Sequence, residues 1–180
     1  MKKILGLTLV LLLGLVVLVA CGGDQTATNE QTGENSDTVS AASINITDEA
    51  VFRKSIGEEG KWIICTVEDL TFDEELVVEG TFYNRGDSNN DVFRKIAPYE
   101  QDDNRNVTAR YSITAPRMVI ESPNTRFQAG TFVGDIYVEA EGFELVDARV
   151  EGDVIFASEE YESSADISDD STVTGTIEVE

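Results

Sequence analysis

The chain has 180 residues, and 35 acidic against 13 basic residues give it a formal net charge of −22. A surface of this charge repels nucleic acid, so we expect no nucleic-acid partner. The sequence contains no histidine, which excludes Ser-His-Asp and Cys-His catalysis and the usual zinc sites that include histidine.

The N-terminus begins with a positively charged Met1-Lys2-Lys3 and continues as an apolar run from Ile4 to Ala20, followed by Cys21. This order is typical of a secretory signal peptide. Leu18-Val19-Ala20-Cys21 resembles the lipobox of bacterial lipoproteins. The resemblance implies cleavage after Ala20 and a membrane anchor made by lipid on Cys21. It also implies that the rest of the chain lies on the extracytoplasmic face of a cell membrane. The alternative is an uncleaved anchor.

Residues 22–43 are rich in Ser, Thr, Gly, Asn and Glu and have almost no large apolar side chains. Such a segment cannot bury enough surface to fold. We therefore predict three regions: a signal peptide at 1–20, the lipidated cysteine with a disordered tether at 21–43, and a folded domain at 44–180.

The folded domain is predicted to begin with one short capping helix over 50–56. Thr47 is suited to the N-cap position, acidic residues follow it in the first turn, and Gly57 ends the helix.

A recurring pattern of apolar-x-Gly-x-apolar-x-apolar begins after residue 60. It surrounds four glycines, Gly80, Gly134, Gly152 and Gly175. The residue numbers of Gly134 and Gly152 differ by 18, and those of Gly80 and Gly134 differ by 54, which is three times as much. Gly175 follows Gly152 by 23, which implies a five-residue insertion near 158–163. Pro116 occupies the glycine position one repeat before Gly134.

Short alternating strands at this period are typical of a solenoid. The predicted fold is all-β: a small three-sided parallel β-helix with about 18 residues per turn. It places Phe127 over Leu145 and Phe132 over Val150 on successive turns. An antiparallel sandwich is the competing fold.

Residues 84–110 are polar and interrupt the pattern, so we interpret them as an excursion from the solenoid. Within it, 91–96 could form one or two helical turns before Pro98. The excursion also contains Arg85-Gly86-Asp87. This matches a cell-adhesion tripeptide, although a chance match is the simpler interpretation.

The stretch 145–157, Leu-Val-Asp-Ala-Arg-Val-Glu-Gly-Asp-Val-Ile-Phe-Ala, resembles the repeats of bactofilins, the polymer-forming bacterial cytoskeletal proteins. The resemblance covers residues 115–180. It implies a parallel β-helix that assembles end to end without nucleotide or metal. The lipoprotein signal, the 84–110 excursion and the capping helix depart from the bactofilin pattern.

Asp135 and Asp153 fall in one column on adjacent turns, so their carboxylates are expected about 5 Å apart. Paired carboxylates could perform glycoside hydrolysis or bind calcium, whereas a Gly-Asp corner facing water is the structural alternative. Arg126 and Glu144 share another column and are expected to form an ion pair between turns.

Two further features have mainly structural interpretations. Asp166, Asp169 and Asp170 could hold a cation or form a solvated acidic loop. Cys65 lies in an apolar run and is expected to be a small buried residue. We assign no catalytic residue, metal site or cofactor.

The predicted function is a membrane-anchored, non-enzymatic scaffold or adhesion module. It could self-assemble through the solenoid ends, because the last turn at 176–180 has no predicted cap. The alternative for this end is that the alternating acids Glu178 and Glu180 protect that edge by repulsion. The alternative is an envelope polysaccharide-binding protein or a glycoside hydrolase that uses the stacked carboxylates.

Overall fold

The structure is a computed structural model, and it describes residues 42–180. The predicted signal peptide, the lipidated Cys21 and the tether up to residue 41 lie outside the described residues. Within residues 42–180, no helix is long and apolar enough to cross a membrane.

The described part contains 16 β-strands and two α-helices. The elements up to residue 111 are β1 (Ala42–Ile46), α1 (Glu49–Ile56), β2 (Ile63–Thr66), β3 (Leu70–Thr71), β4 (Leu76–Val78), a 3-10 helix (Asn84–Gly86), β5 (Arg94–Ala97), β6 (Tyr99–Gln101) and β7 (Val107–Arg110). The elements from residue 112 on are β8 (Ser112–Ile120), β9 (Thr125–Gln128), β10 (Thr131–Val138), β11 (Glu144–Val146), β12 (Arg149–Glu151), β13 (Val154–Phe156), α2 (Glu159–Ser164), β14 (Asp166–Ile167), β15 (Thr172–Val173) and β16 (Ile177–Val179).

The strands form two parallel sheets and one small hairpin. The first sheet has the order β1-β2-β5-β9-β11-β14. The second has eight strands: β15-β12-β10-β13-β16 form one path, and β8 pairs with β10, β3 and β4. All pairings in these sheets are parallel, and β6 and β7 pair as an antiparallel two-stranded hairpin. The prediction of an all-β fold with parallel strands is confirmed, and the antiparallel sandwich is wrong.

The predicted columns are present in the strand register. Phe127 pairs with Leu145, and Phe132 pairs with Val150. We call the difference in residue number between two paired residues their offset, and it equals the sequence period of 18 for both pairs. Phe127, Phe132, Leu145 and Val150 are all buried in the core. The sequence period therefore corresponds to neighbouring parallel strands whose inward side chains stack.

Gly134 of β10 lies very close to the backbone of the neighbouring strand β8. The offset between the two strands is 19 up to Val133 and 18 from Asp135 on, so β8 carries one extra residue around Ala115 and Pro116. Gly134 has φ = 135°, and a Cβ there would collide with the carbonyl oxygen of Ala115. This extra residue forms a β-bulge, which accommodates Pro116 because proline has no N–H to donate to a neighbouring strand. Glycine fits opposite the bulge because it has no Cβ.

The predicted insertion after residue 157 is the helix α2. Across it the offset rises to 22 for Glu144 and Asp166 and to 23 for Val154 and Ile177. The Ser158 side chain caps the helix by accepting a hydrogen bond from the Tyr161 N–H. The inserted residues thus leave the sheet as a helical turn, and the parallel pairing resumes after them.

The predicted alignment of Gly80 with Gly134 across three turns is wrong. Leu76 of β4 pairs with Met118 of β8, which pairs with Ile136 of β10, so only one strand separates β4 from β10. Gly80 lies beyond the end of β4 with φ = 89°, close to the backbone of Glu58. The difference of 54 between the residue numbers of Gly80 and Gly134 is a multiple of 18 by coincidence, because the excursion between them contains additional residues.

The predicted capping helix is present as α1, with a different N-cap. Asp48, not Thr47, accepts a hydrogen bond from the Val51 N–H, at 2.9 Å. The chain also enters the sheet earlier than predicted, because β1 begins at Ala42 and pairs with β2.

The predicted helical turns at 91–96 are wrong, because Arg94–Ala97 form strand β5 between β2 and β9. Ile96 is fully buried and pairs with Ile64 and Phe127. Part of the predicted excursion is therefore a central strand of the first sheet.

The fully buried Arg94 connects this strand to the end of α1. Its guanidinium donates to the carbonyl oxygens of Ser55, Gly57, Lys61 and Glu79 and stacks 4.1 Å from the centroid of the Phe82 ring. Carbonyls at a helix C-terminus attract a cation. Burial lowers the pKa of Arg94 to about 9, partly opposed by Glu79.

Candidate functional site

The structure brings Asp135 and Asp153 into one column and gives their carboxylates a structural role. Oδ1 of Asp135 accepts the backbone N–H of Asp153 at 3.0 Å. Oδ1 of Asp153 accepts the backbone N–H of Thr176 at 2.7 Å and its hydroxyl at 3.2 Å. Each carboxylate thus binds the corner of the next strand.

The predicted ion pair between Arg126 and Glu144 is present on adjacent strands of the first sheet. The Arg126 guanidinium also lies 5.2 Å from the centroid of the Phe93 ring. The Arg126 and Glu144 side chains are 34% and 27% exposed, so water weakens their attraction.

Arg85-Gly86-Asp87 lies at the exposed 3-10 helix, with Arg85 at φ = 60°. Asp87 accepts hydrogen bonds from the backbone and side-chain N–H groups of Asn89, and these bonds lower the pKa of Asp87. The aspartate of the tripeptide is therefore engaged in a local turn.

Asp170, the best-connected residue of the predicted acidic cluster, also holds a loop together. It accepts hydrogen bonds from the Ser168 hydroxyl and the Asp147 N–H, and these lower the pKa of Asp170. No group of acidic and cysteine side chains within residues 42–180 is arranged to hold a metal ion.

A groove on the outer face of the first sheet was not evident from the sequence. It has a volume of about 510 Å³, and we call it the hairpin groove. Its lining comes from the outward residues of β2, β5 and β9 and from the β6–β7 hairpin: Ile63, Cys65, Lys95, Tyr99, Gln101, Arg105, Val107 and Gln128.

The base of the hairpin is fixed to the sheets. Pro98 is buried and packs so closely on Gly130 that a Cβ at Gly130 would collide with the proline ring. The Tyr111 N–H donates to the Pro98 carbonyl at 2.9 Å, and the Thr131 N–H donates to the Tyr111 carbonyl at 3.0 Å. These contacts hold the hairpin over the outer face of the first sheet.

The hairpin groove contains two basic side chains and no acidic one. The Lys95 ammonium donates to the Tyr99 hydroxyl at 2.9 Å and lies 5.1 Å from the centroid of its ring. Arg105 lies at the exposed turn between β6 and β7. In a chain with a net charge of −22 this is a distinct local environment.

Cys65 is in the groove rather than in the core as predicted. It alternates with the buried Ile64 and Thr66 along β2, so its side chain is on the outer face. Partial burial raises the pKa of the Cys65 thiol, and the Lys95 ammonium opposes that change. Because Cys65 lines the groove, the reactivity of its thiol can be used to detect a ligand bound there.

The scarce positive charge of the excursion was a sequence signal for this site, because 84–110 contain five of the 13 basic residues. The docking of the hairpin that assembles the groove had no sequence signal. No family model matches the chain, and neither the curated proteins nor the solved structures contain a significant match.

Proposed function

We propose that this protein is a bacterial lipoprotein, anchored by lipid on Cys21, that displays a non-enzymatic adhesion or scaffold module on the extracytoplasmic face of a cell membrane. The ordered signal, apolar run and lipobox at 1–21 support the anchor. The β-rich part at 42–180 would be the displayed module, and its neighbouring strands within 125–156 pair at the sequence period of 18.

The displayed module is a three-sided parallel β-helix in this proposal. The observation that carries it is the pairing of one strand with two: β10 pairs with β12 through 131–133 and with β13 through 136–138. The bulge opposite Gly134 lies between the two stretches. In this proposal the chain bends at that bulge, so that the second sheet forms two faces and the first sheet forms the third.

A binding role is favoured over hydrolysis by the carboxylates of Asp135 and Asp153. Both accept backbone hydrogen bonds that hold successive corners. A general acid and its partner need to exchange protons with a substrate, whereas these groups serve the fold. The polysaccharide-binding alternative is supported instead by the hairpin groove.

The test of the anchor uses the two cysteines as a matched pair. The chain is expressed in a bacterium, extracted, separated into detergent and aqueous phases, and analysed by intact mass. We expect the original chain and Cys65→Ala to enter the detergent phase with the mass of an acylated chain that starts at residue 21. Cys21→Ala should lack the acyl mass. Equal acylation of Cys21→Ala and the original chain would refute the anchor.

Self-assembly through the ends of the β-helix stays a prediction. Ile177 on β16 is 47% exposed, and Val179 is partly buried against the core. An exposed strand of this kind can add a strand from a second copy. We expect the Cys21→Ala chain to form larger species in sedimentation velocity as its concentration rises, and Ile177→Lys to abolish them. A monomer at all concentrations would contradict this.

A further inference from the structure

We infer that the hairpin groove binds an anionic glycan, through a carboxylate or phosphate group on a sugar unit. This inference rests on the proposed role as a displayed binding module and specifies its ligand. It follows from the charges, the free donors and the size of the groove.

The charge of the lining selects an anion. Lys95 and Arg105 are the two charged residues that line the groove. Charge-assisted hydrogen bonds from ammonium and guanidinium groups to oxyanions are about twice as strong as neutral ones. An anionic group in the groove would meet cations and no opposing carboxylate in the lining.

Donor capacity remains on both cations. The Lys95 ammonium has three N–H donors, of which one is directed to Tyr99. The Arg105 side chain has no hydrogen-bond or ion-pair partner within residues 42–180. By contrast, Arg110, Arg126 and Arg149 each pair with a carboxylate. Arg105 is therefore available to a ligand.

The remaining lining fits a sugar. Gln101 and Gln128 supply amide donors and acceptors for hydroxyl groups, and the Tyr99 ring supplies an aromatic surface. A volume of about 510 Å³ lies within the range of about 300–1,000 Å³ that is typical of small-ligand sites. One or two charged sugar units could enter.

The overall negative charge does not prevent such binding at physiological salt. The Debye length is about 8 Å at this ionic strength, so distant surface carboxylates are screened more than the groove cations that contact the ligand. We expect the groove lining, rather than net charge, to determine which glycan binds.

The experiment measures binding of three oligosaccharides to the full chain purified in detergent micelles, by calorimetry at physiological salt. The probes are an oligogalacturonate, an oligomer of glycerol phosphate carrying sugar, and a neutral oligosaccharide of equal length. Lys95→Gln with Arg105→Gln removes both groove cations. Lys54→Gln with Arg85→Gln is the charge-matched control, since Lys54 and Arg85 are exposed and outside the groove lining.

We expect at least one anionic probe to bind, the neutral probe to bind at least tenfold more weakly, and the groove double variant to lose about tenfold or more in affinity. The more tightly bound anionic probe identifies carboxylate or phosphate as the preferred group. Arg105→Gln alone, at an exposed turn, should also weaken binding and keeps the test valid if the double variant unfolds. Failure of both anionic probes to bind, or an equal loss in the charge-matched control, would overturn the inference.

Alkylation of Cys65 gives a second, site-specific measure. The bound anionic probe should slow alkylation of Cys65, quantified on its peptide by mass spectrometry, and the neutral probe should not. An unchanged rate at saturating anionic probe would place the ligand elsewhere and refute this site. Because this signal is separate from acylation of Cys21, a failed groove and a failed anchor give different results.

Discussion

Residues 112–180 and residues 42–111 contribute to the same two sheets by different means. In 112–180, the offsets between neighbouring strands are short, 18 for Phe132 and Val150 and 23 for Val154 and Ile177. The offsets of the strands of 42–111 vary far more, from 21 for Ala42 and Ile63 to 32 for Ile63 and Lys95 and 43 for Leu70 and its partner in β8. We call these the regular part and the irregular part.

The two parts use their residues differently. The regular part repeats one local solution, in which a corner carboxylate such as that of Asp135 accepts the next strand's N–H. The irregular part contains additional residues that form α1 and the β6–β7 hairpin. The buried Arg94 joins its loops by donating hydrogen bonds to their carbonyl oxygens. The additional chain also provides the hairpin groove.

The largest expected effect comes from replacing Arg94 in the irregular part. Arg94→Met removes a fully buried side chain that donates to four carbonyl oxygens, so we expect the free energy of unfolding to fall by about 3–5 kcal/mol. Urea unfolding of the Cys21→Ala chain measures it. Since Arg94 with a pKa of about 9 stays protonated at neutral pH, its hydrogen bonds should persist, and the loss should be similar from pH 5 to pH 8.

Arg126→Met is the matched control, because Arg126 is one strand away and partly exposed. It should cost about 1 kcal/mol or less. Equal losses for the two variants would show that Arg94 has no special role in joining the loops of the irregular part.

The next effect compares a glycine from each part. Gly134→Ala should destabilise by about 2–4 kcal/mol, since the new methyl group meets the Ala115 carbonyl and φ is 135°. Gly80→Ala, at φ = 89° and a Cβ distance of 2.9 Å from the Glu58 carbonyl oxygen, should cost about 1–3 kcal/mol. Thermal unfolding ranks the two variants. A larger loss of stability for Gly80→Ala than for Gly134→Ala would mean that β8 and β10 can shift apart at Gly134 to accommodate the new methyl group.

The sequence was sufficient to predict most of the regular part. The columns of Phe127 with Leu145 and Phe132 with Val150, the insertion at α2 and the Arg126–Glu144 pair are all present. They could be predicted because a repeat encodes contacts between nearest neighbours. The repeated pattern then specifies which side chains of a strand point inward, and its period specifies which residue of the next strand each one pairs with.

The irregular part could not be predicted in the same way. Strand β5 could not be recognised from its sequence because an arginine, Arg94, occupies an inward position. The burial of Arg94 depends on the carbonyl oxygens of residues 55, 57, 61 and 79, which no local sequence pattern relates to it. The hairpin groove likewise depends on Pro98 packing against Gly130, a contact between residues that are distant in the sequence. Propensity and period describe local segments, whereas these contacts are tertiary.

A smaller effect is expected from the corner carboxylates of the regular part. Asp153→Ala removes an acceptor for both the N–H and the hydroxyl of Thr176, so unfolding should become easier by about 1–2 kcal/mol. Asp135→Ala removes an acceptor for one N–H and should cost about 0.5–1.5 kcal/mol. Urea unfolding measures both. If neither variant loses stability, the column is not structural and its role as a catalytic pair returns as a hypothesis.

The smallest effect concerns the Arg126–Glu144 pair, where the regular part meets Phe93 of the irregular part. A double-mutant cycle with Arg126→Gln and Glu144→Gln should give a coupling free energy of about 0.2–1 kcal/mol that decreases as salt rises, because both side chains are partly exposed. Arg126 also faces the Phe93 ring at 5.2 Å, so Arg126→Gln alone should cost more than Glu144→Gln. A coupling well above this range that salt leaves unchanged would mean that the pair is effectively desolvated. The packing of the irregular part, through Phe93, would then strengthen a contact that the repeat alone makes weak.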